Sequence, residues 1–315
     1  LDRKVICYLK PNTLEYYLTV PSEVLHHLAG RGFDFRYCET ADDFLRWLPE
    51  AEIALVADFK AEWIRRAPKL KWVATYAAGK ERVAEADLKK QGIKVSFGRF
   101  HGKIMAETVI GMMLFVVRGL GTAYRVQGKI EWCDRFLQDK LWTLRGKTCM
   151  ILGFGQIGRH IAKLTKAFGM FNIGVKRTPD NDLTDVDQII TIQSFKDYLQ
   201  FVDHLVIALP RDKSTNNLIG SQELALMKPT AALYNVGRGN CVDEEALYHA
   251  LKNKWIHFAC LDVFRTEPLP FDSPLRNLDN ILILPHISAF APEYFLLFFE
   301  EFLKDFERYY NDYQY

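Results

Sequence analysis

Along the first hundred residues, short apolar runs alternate with amphipathic stretches. Residues 4–9, 53–56, 72–76 and 94–97 are rich in β-branched and aromatic side chains, whereas 22–29 and 41–48 repeat their apolar positions at helical spacing. That rhythm predicts a parallel sheet covered by helices. Residues 106–117, AETVIGMMLFVV, predict a buried helix leaving this first unit. At about 18 Å it is too short to span a bilayer. A second series then supplies strand candidates at 148–152, 171–175, 204–208, 232–235, 258–261 and 281–284. Six strands separated by helices or loops suit a dinucleotide-binding sheet. The stretch 292–309 has helical apolar spacing and is expected to return to the first unit. No internal repeat or low-complexity segment interrupts the pattern.

Composition narrows the partners. A chain of 315 residues with 49% hydrophobic and 25% charged residues has the balance of a globular protein, and its length favours two domains sharing a cleft. A net charge of +2 and a pI near 8.1 argue against nucleic acid and against a membrane surface, so a small ligand is expected. The six cysteines are scattered, without metal-ligand spacing, and read as reduced core thiols; no metal is expected. The start LDRKVICYLK reads as a first strand rather than a signal peptide, and no apolar run reaches membrane-spanning length. A cytoplasmic location is the expectation.

Candidate chemistry begins at TCMILGFGQIGRHIAKLTKAFGM, where an apolar strand runs into Gly153, Gly155 and Gly158 and a helical pattern opens at once. The first glycine permits the tight turn. The second lets backbone amides approach a pyrophosphate, and the third lets helix pack on strand. Gln156 and Ile157 complete the loop, and the helix start faces the phosphate charge. The next strand ends in Lys176, Arg177 and Thr178, two cations and a hydroxyl that suit a 2′-phosphate. NADP(H) is therefore preferred. NAD(H) stands as the alternative, with the two cations forming a solvated corner and Asp180 or Asp182 turning back to hold a ribose.

Three later segments release single polar groups where apolar strands end, the place where open α/β sheets do their work. Arg238 lies between Gly237 and Gly239, clear of neighbouring bulk, and an arginine fork can hold a carboxylate. Glu267 follows FACLDVF and His286 follows ILILP. A histidine can exchange the hydroxyl proton as hydride moves, and a carboxylate on its other nitrogen fixes the tautomer. Taken singly, each of these residues is more often a turn residue than a catalyst; their joint placement carries the weight. Asp262 could meet the nicotinamide amide or cap a nearby helix. No H-E-x-x-H, His/Cys/Asp cluster or G-x-S-x-G elbow supports metal or serine-hydrolase chemistry.

These segments together resemble the D-isomer-specific 2-hydroxyacid dehydrogenase family. GFGQIGRHIAKLTKAFGM is similar to its cofactor loop, NVGRGNCVDEEALYHAL to its arginine segment, LDVFRTEPLP to its glutamate segment and PHISA to its histidine segment, in the family's order. HGKIMAETVIGMML resembles the interdomain helix, and YAAGKERV lies where a substrate-carboxylate loop would be. The resemblance implies an α/β fold in which a Rossmann-type doubly wound sheet, residues 101–288, is inserted into a smaller flavodoxin-like substrate domain, residues 1–100 and 289–315. It implies a cleft that closes on the ligand and a homodimer formed through the cofactor domains. It also implies roles: Arg238 binds the substrate carboxylate and polarises the carbonyl, His286 is the acid/base, Glu267 supports it, and Asp262 helps hold the nicotinamide. Backbone amides at Ala78 and Gly79 would complete the carboxylate site.

Lys80 departs from a small apolar residue, suggesting an anionic substrate group or a side chain in water; Arg211 also replaces an apolar residue and could reach the adenine or the phosphate. Lys176 replaces the family's NAD-selecting acid. The expected activity is reduction of glyoxylate or hydroxypyruvate by NADPH. Formate dehydrogenases, which the resemblance would give Gln beside the histidine, fit less well. The competing class is a dinucleotide-sensing interaction protein of the corepressor type.

Overall fold

The computed structural model describes residues 3–9, 33–129, 132, 134–138, 141–178 and 182–311. The amphipathic stretch 22–29, Cys133 and Asp180 lie outside them. The chain divides into two compact units, Leu1–His101 with Phe290–Tyr315, and Gly102–Ala289.

In the first unit, β1 (Arg3–Tyr8), β2 (Phe33–Tyr37), β3 (Ile53–Val56), β4 (Trp72–Thr75) and β5 (Lys94–Phe97) pair in the order β2-β1-β3-β4-β5, all parallel. This is the flavodoxin-like order. β3 and β4 are buried throughout, which is why they read as unbroken apolar runs. β2, at the sheet edge, carries FDFRY with its polar residues exposed, and the apolar-run criterion passes over it. On one face Phe44 of α1 (Ala41–Trp47) packs with Phe59 and Trp63. A second helix, α2 (Glu85–Lys90), precedes β5. The returning helix α9 (Tyr294–Asn311) sets Phe302 against Trp72, centroids 5.2 Å apart, and Phe306 against Phe33 at 4.5 Å. It is pinned by Arg99, whose guanidinium reaches both Asp305 oxygens at 2.7 Å.

The second unit opens with α3 (His101–Val117), which begins earlier than the 106–117 expected. Two short helices follow, α4 (Leu120–Val126) and α5 (Asp134–Gln138). The sheet comprises β6 (Thr148–Leu152), β7 (Phe171–Lys176), β8 (Gln188–Thr191), β9 (His204–Ile207), β10 (Ala232–Asn235), β11 (Phe258–Leu261) and β12 (Ile281–Ile283). Its order, β12-β11-β10-β9-β6-β7-β8, is parallel throughout. β8 went unread because QIIT carries only two apolar residues and forms the sheet edge. Counted from β8, the first six strands follow the dinucleotide-binding order, reversing direction between β6 and β9, where such sheets bind ligands.

Alternation along each strand feeds two cores. Met150, Leu152, Val175, Leu205, Ile207 and Leu233 face one side. Cys149, Ile151, Val206, Tyr234 and Cys260 face the other, under Val109 and Met113 of α3. Helices α6 (Gln156–Ala167), α7 (Ser221–Leu226) and α8 (Glu244–Lys252) lie between the strands in sequence. Cys7, Cys38, Cys149, Cys241 and Cys260 are buried free thiols. Among the described residues no single helix is long and apolar enough to cross a membrane, and no group of three His, Cys, Asp or Glu side chains could hold a metal ion.

Candidate active site

The glycine loop is built where β6 ends. Gly153 adopts φ +92, and a Cβ there would lie 2.7 Å from the Ala208 carbonyl of the neighbouring strand's end, so no other residue fits. The amides of Gly153 and Phe154 both donate to the Val175 carbonyl, at 3.2 and 3.0 Å. Gly155 faces open space, with nothing within 4 Å of an added Cβ. Immediately afterwards α6 begins with no side chain capping its first turn, Gln156 exposed and Ile157 half-buried. Uncapped helix amides beside a glycine-lined opening are what a pyrophosphate requires, so these residues fit a dinucleotide.

Lys176 closes β7 opposite Thr191 of β8, and Arg177 and Thr178 follow, exposed. Arg177 reaches Asp212 at 3.4 Å, and Asp212 is itself held by Ser214, whose amide and hydroxyl donate to Oδ1 at 2.8 and 2.6 Å. Arg211, next to it, is exposed. Asp182, the acid weighed for an NAD ribose, is bound by Arg159 at 2.8 Å. Hydrogen bonds from Thr184 chiefly, then the charges of Arg159 and Lys176, hold its carboxyl below the usual range.

The three strand-end residues come from three adjacent strands. At the end of β10, the buried Asn235 shapes the turn, its Oδ1 accepting from Gly237 N at 3.1 Å and its Nδ2 donating to Arg238 O at 3.0 Å. Sequence reading missed Asn235, although an Asn at a strand end ahead of a glycine is the signal of such a turn. The glycine after Arg238 has another cause than the one expected: a Cβ on Gly239 would collide with the Phe264 backbone. Close approach of two chain segments, rather than clearance for a ligand, demands glycine there.

After β11, Glu267 accepts from Phe264 N at 2.9 Å through Oε1 and pairs with His286 Nδ1 at 2.7 Å through Oε2. An ionised carboxylate only accepts, so the proton between them sits on Nδ1 and leaves Nε2 for chemistry. His286 is raised above its ordinary value, first by the hydrogen bond to Glu267, with burial and Arg238 opposing and the charges of Glu267 and Asp262 assisting. Burial pushes Glu267 up, but the bonds from His286 and Phe264 N, with the charges of His286 and Arg238, prevail and hold it below the carboxylate norm. Arg238 thus lies within electrostatic reach of both, and its Nη1 also donates to Gly237 O at 2.9 Å.

Asp262, directly after β11, supports the turn that carries His286. It is 0% exposed, and its oxygens accept from Ile287 N at 2.7 Å and Ser288 N at 3.0 Å, while its carbonyl accepts from His286 N at 2.9 Å. This sealed carboxylate, accepting from two backbone amides, holds the His286 turn. In the first unit, exposed Ala78 and half-buried Gly79 lie in the turn after β4. Lys80 follows, paired with Glu85 at 3.2 Å and above the Phe97 ring at 5.5 Å, so its charge has a partner at the surface.

Known proteins share this sequence pattern and fold. A sequence model described as D-isomer specific 2-hydroxyacid dehydrogenase, NAD binding domain, matches residues 110–288. Glyoxylate/hydroxypyruvate reductase B of Yersinia enterocolitica is 32% identical over 300 residues, covering 90% of each chain. D-3-phosphoglycerate dehydrogenase of Methanocaldococcus jannaschii is 32% identical over 258 residues, 81% of this chain but 49% of its own length, so this chain matches about half of it. Among solved structures, an acyclic imino acid reductase in complex with NADPH and D-arginine superposes with a TM-score of 0.79 at 26% identity, covering 98% and 97% of the two chains. An NADPH-dependent glyoxylate/hydroxypyruvate reductase from Sinorhizobium meliloti, in complex with NADP and malonate, gives 0.69 at 25% identity, covering 95% and 91%. The glycine loop at the end of β6, the Glu267–His286 pair and these matches over most of the chain lead to one assignment: the chain belongs to the D-isomer specific 2-hydroxyacid dehydrogenase family of nicotinamide-dinucleotide-dependent oxidoreductases.

Proposed function

We propose that this protein reduces a short 2-keto acid, glyoxylate or hydroxypyruvate, to the D-2-hydroxy acid with NADPH. The observation that carries the reading is the 2.7 Å contact between His286 Nδ1 and Glu267 Oε2 at the carboxyl ends of β11 and β12, with Arg238 in electrostatic reach. When bound, a reduced nicotinamide would supply the hydride for the carbonyl carbon. His286 delivers the proton from Nε2 to the carbonyl oxygen, and Glu267 stabilises the imidazolium before transfer. Arg238 holds the substrate carboxylate and draws charge from the carbonyl. The second unit is then the dinucleotide domain and the first the substrate domain.

For the cofactor, Gly153, Gly155, Gln156, Ile157 and Gly158 bind the pyrophosphate, and Lys176, Arg177 and Thr178 bind the 2′-phosphate. The engagement of Asp182 by Arg159 supports this choice, since that acid's charge already has a partner. The complexes of the two reductases with NADPH and NADP support it as well. A homodimer fits the large apolar side chains on and beyond α4, Tyr124 at 74% and Trp132 at 81% exposure, which a second copy would cover.

The test is the initial rate with NADPH and with NADH on glyoxylate, hydroxypyruvate, pyruvate and a bulkier keto acid. Replacing Lys176 and Arg177 by Ala is expected to raise KM for NADPH about tenfold to a hundredfold, the loss of charge-assisted bonds of about 1.5–3 kcal/mol. KM for NADH should hardly move. A wild-type preference for NADH overturns the cofactor assignment. His286→Ala should lose about 10²–10⁴ in rate and still bind cofactor. Strong turnover by that variant, or none by the wild type on any keto acid, overturns the reaction.

A further inference from the structure

The turn carrying His286 is held through its three amides and the carbonyl of Ser288. Its amides at His286, Ile287 and Ser288 are taken by Asp262, as described above. The carbonyl of Ser288, a residue only 3% exposed, is met from the opposite direction by α3: Thr108 Oγ1 lies 3.0 Å from it. The same hydroxyl lies 3.4 Å from Ile104 O, the intrahelical acceptor that a helical threonine ordinarily uses. A hydroxyl has one proton, and the shorter contact takes it.

The need for such pinning is local. His286 adopts φ +58, a left-handed conformation that costs a non-glycine residue about 1–2 kcal/mol and persists only where its surroundings impose it. We propose that Thr108 is a positioning residue for the acid/base: its hydroxyl, donating to Ser288 O, locks the turn that keeps His286 Nδ1 on Glu267. Asp262 and Thr108 are then two jaws of one clamp, the first reaching up from β11 and the second across from α3. Without the Thr108 jaw, Ser288 O loses its partner, the turn gains freedom toward ordinary backbone angles, and the imidazole swings on its carboxylate. Thr108 touches no reacting atom in this account. This inference rests on the reading of His286 as the proton donor.

The experiment separates the two claims. In the cofactor-free chain, the ring nitrogens of ¹⁵N-labelled histidine are titrated by NMR, with the His286 signal identified by its absence in His286→Gln. The groups acting on that ring are Glu267, Asp262 and Arg238. Thr108→Val, which keeps the volume and removes the hydroxyl, is expected to lower the His286 midpoint by about half a pH unit or more as the Glu267 contact loosens. Thr108→Ser, which keeps the hydroxyl, should titrate as the wild type. In turnover, Thr108→Val should lose about threefold to tenfold in kcat with an unchanged Kd for NADPH. Thr108→Ala is the second hydroxyl-free variant, used if valine unfolds the chain. A wild-type midpoint in the hydroxyl-free variant overturns the proposal, as does an equal fall in Thr108→Ser, or a parallel loss of NADPH affinity. Absence of turnover in the wild type sinks the proton-donor reading instead, and the titration still judges the clamp.

Discussion

His286 and Glu267 move each other's protonation in opposite senses, and the direction sets the expected pH profile. Reduction needs the imidazolium, so kcat/KM for the keto acid should be level at low pH and fall as pH rises through the raised His286 value. In Glu267→Gln the carboxylate charge is gone and the bond to Nδ1 becomes a weaker neutral one, so the falling limb should move to lower pH. Oxidation of the hydroxy acid needs the neutral ring and should show the mirror image. Comparing the two pH–rate profiles checks this; an unmoved midpoint would mean that Glu267 does not govern the ring. The identities of these two residues were legible in the sequence because each follows an apolar run, His286 directly and Glu267 after Arg265 and Thr266. That Asp262 serves the His286 turn was not, because its carboxylate acts through backbone groups far along the chain.

Among the elements, the β6 to α6 junction was the most readable, since strand, glycines and helix are contiguous and their constraints are local. Gly153 is its most demanding position, combining φ +92 with the Ala208 carbonyl at 2.7 Å. Gly153→Ala is expected to destabilise the second unit by at least about 1 kcal/mol and to weaken NADPH binding, checked by urea unfolding and a fluorescence titration. Wild-type stability and affinity in that variant would show that the loop adapts freely. The edge strands β2 and β8 were the strands that the sequence pattern did not reveal. Edge strands bury less, so selection for apolar residues leaves a weaker trace in them. The helix α3 was recognised but started too late, because HGKIM lacks the apolar continuity of the residues that follow.

For the whole molecule, the strand orders of both units follow from parallel pairing and crossover connections, and in the second unit they put Arg238, Glu267 and His286 on the segments that follow the adjacent strands β10, β11 and β12. The proposed homodimer belongs to this scale. Replacing Tyr124 and Trp132 by Lys and Glu, respectively, should shift the chain toward monomer in sedimentation, because the desolvation cost of a charge at an interface exceeds the stabilisation from apolar packing there. If wild type sediments as a monomer at micromolar concentration, or the variant stays a dimer, that assembly is wrong or uses another surface.

Contiguous residues were enough for the fold class, the glycine loop, the family and the polar residues at the strand ends, because the spacing in each reflects local backbone geometry. What those residues touch emerged only once the chain was folded. Gly239 answers to Phe264, Asn235 to Arg238, Asp182 to Arg159, and the His286 turn to Asp262 and Thr108. Most of these pairings join segments whose separation in sequence is unrelated to their distance in space. Hydrogen bonding and excluded volume act over a few ångströms, so only the folded chain can say which distant groups they couple.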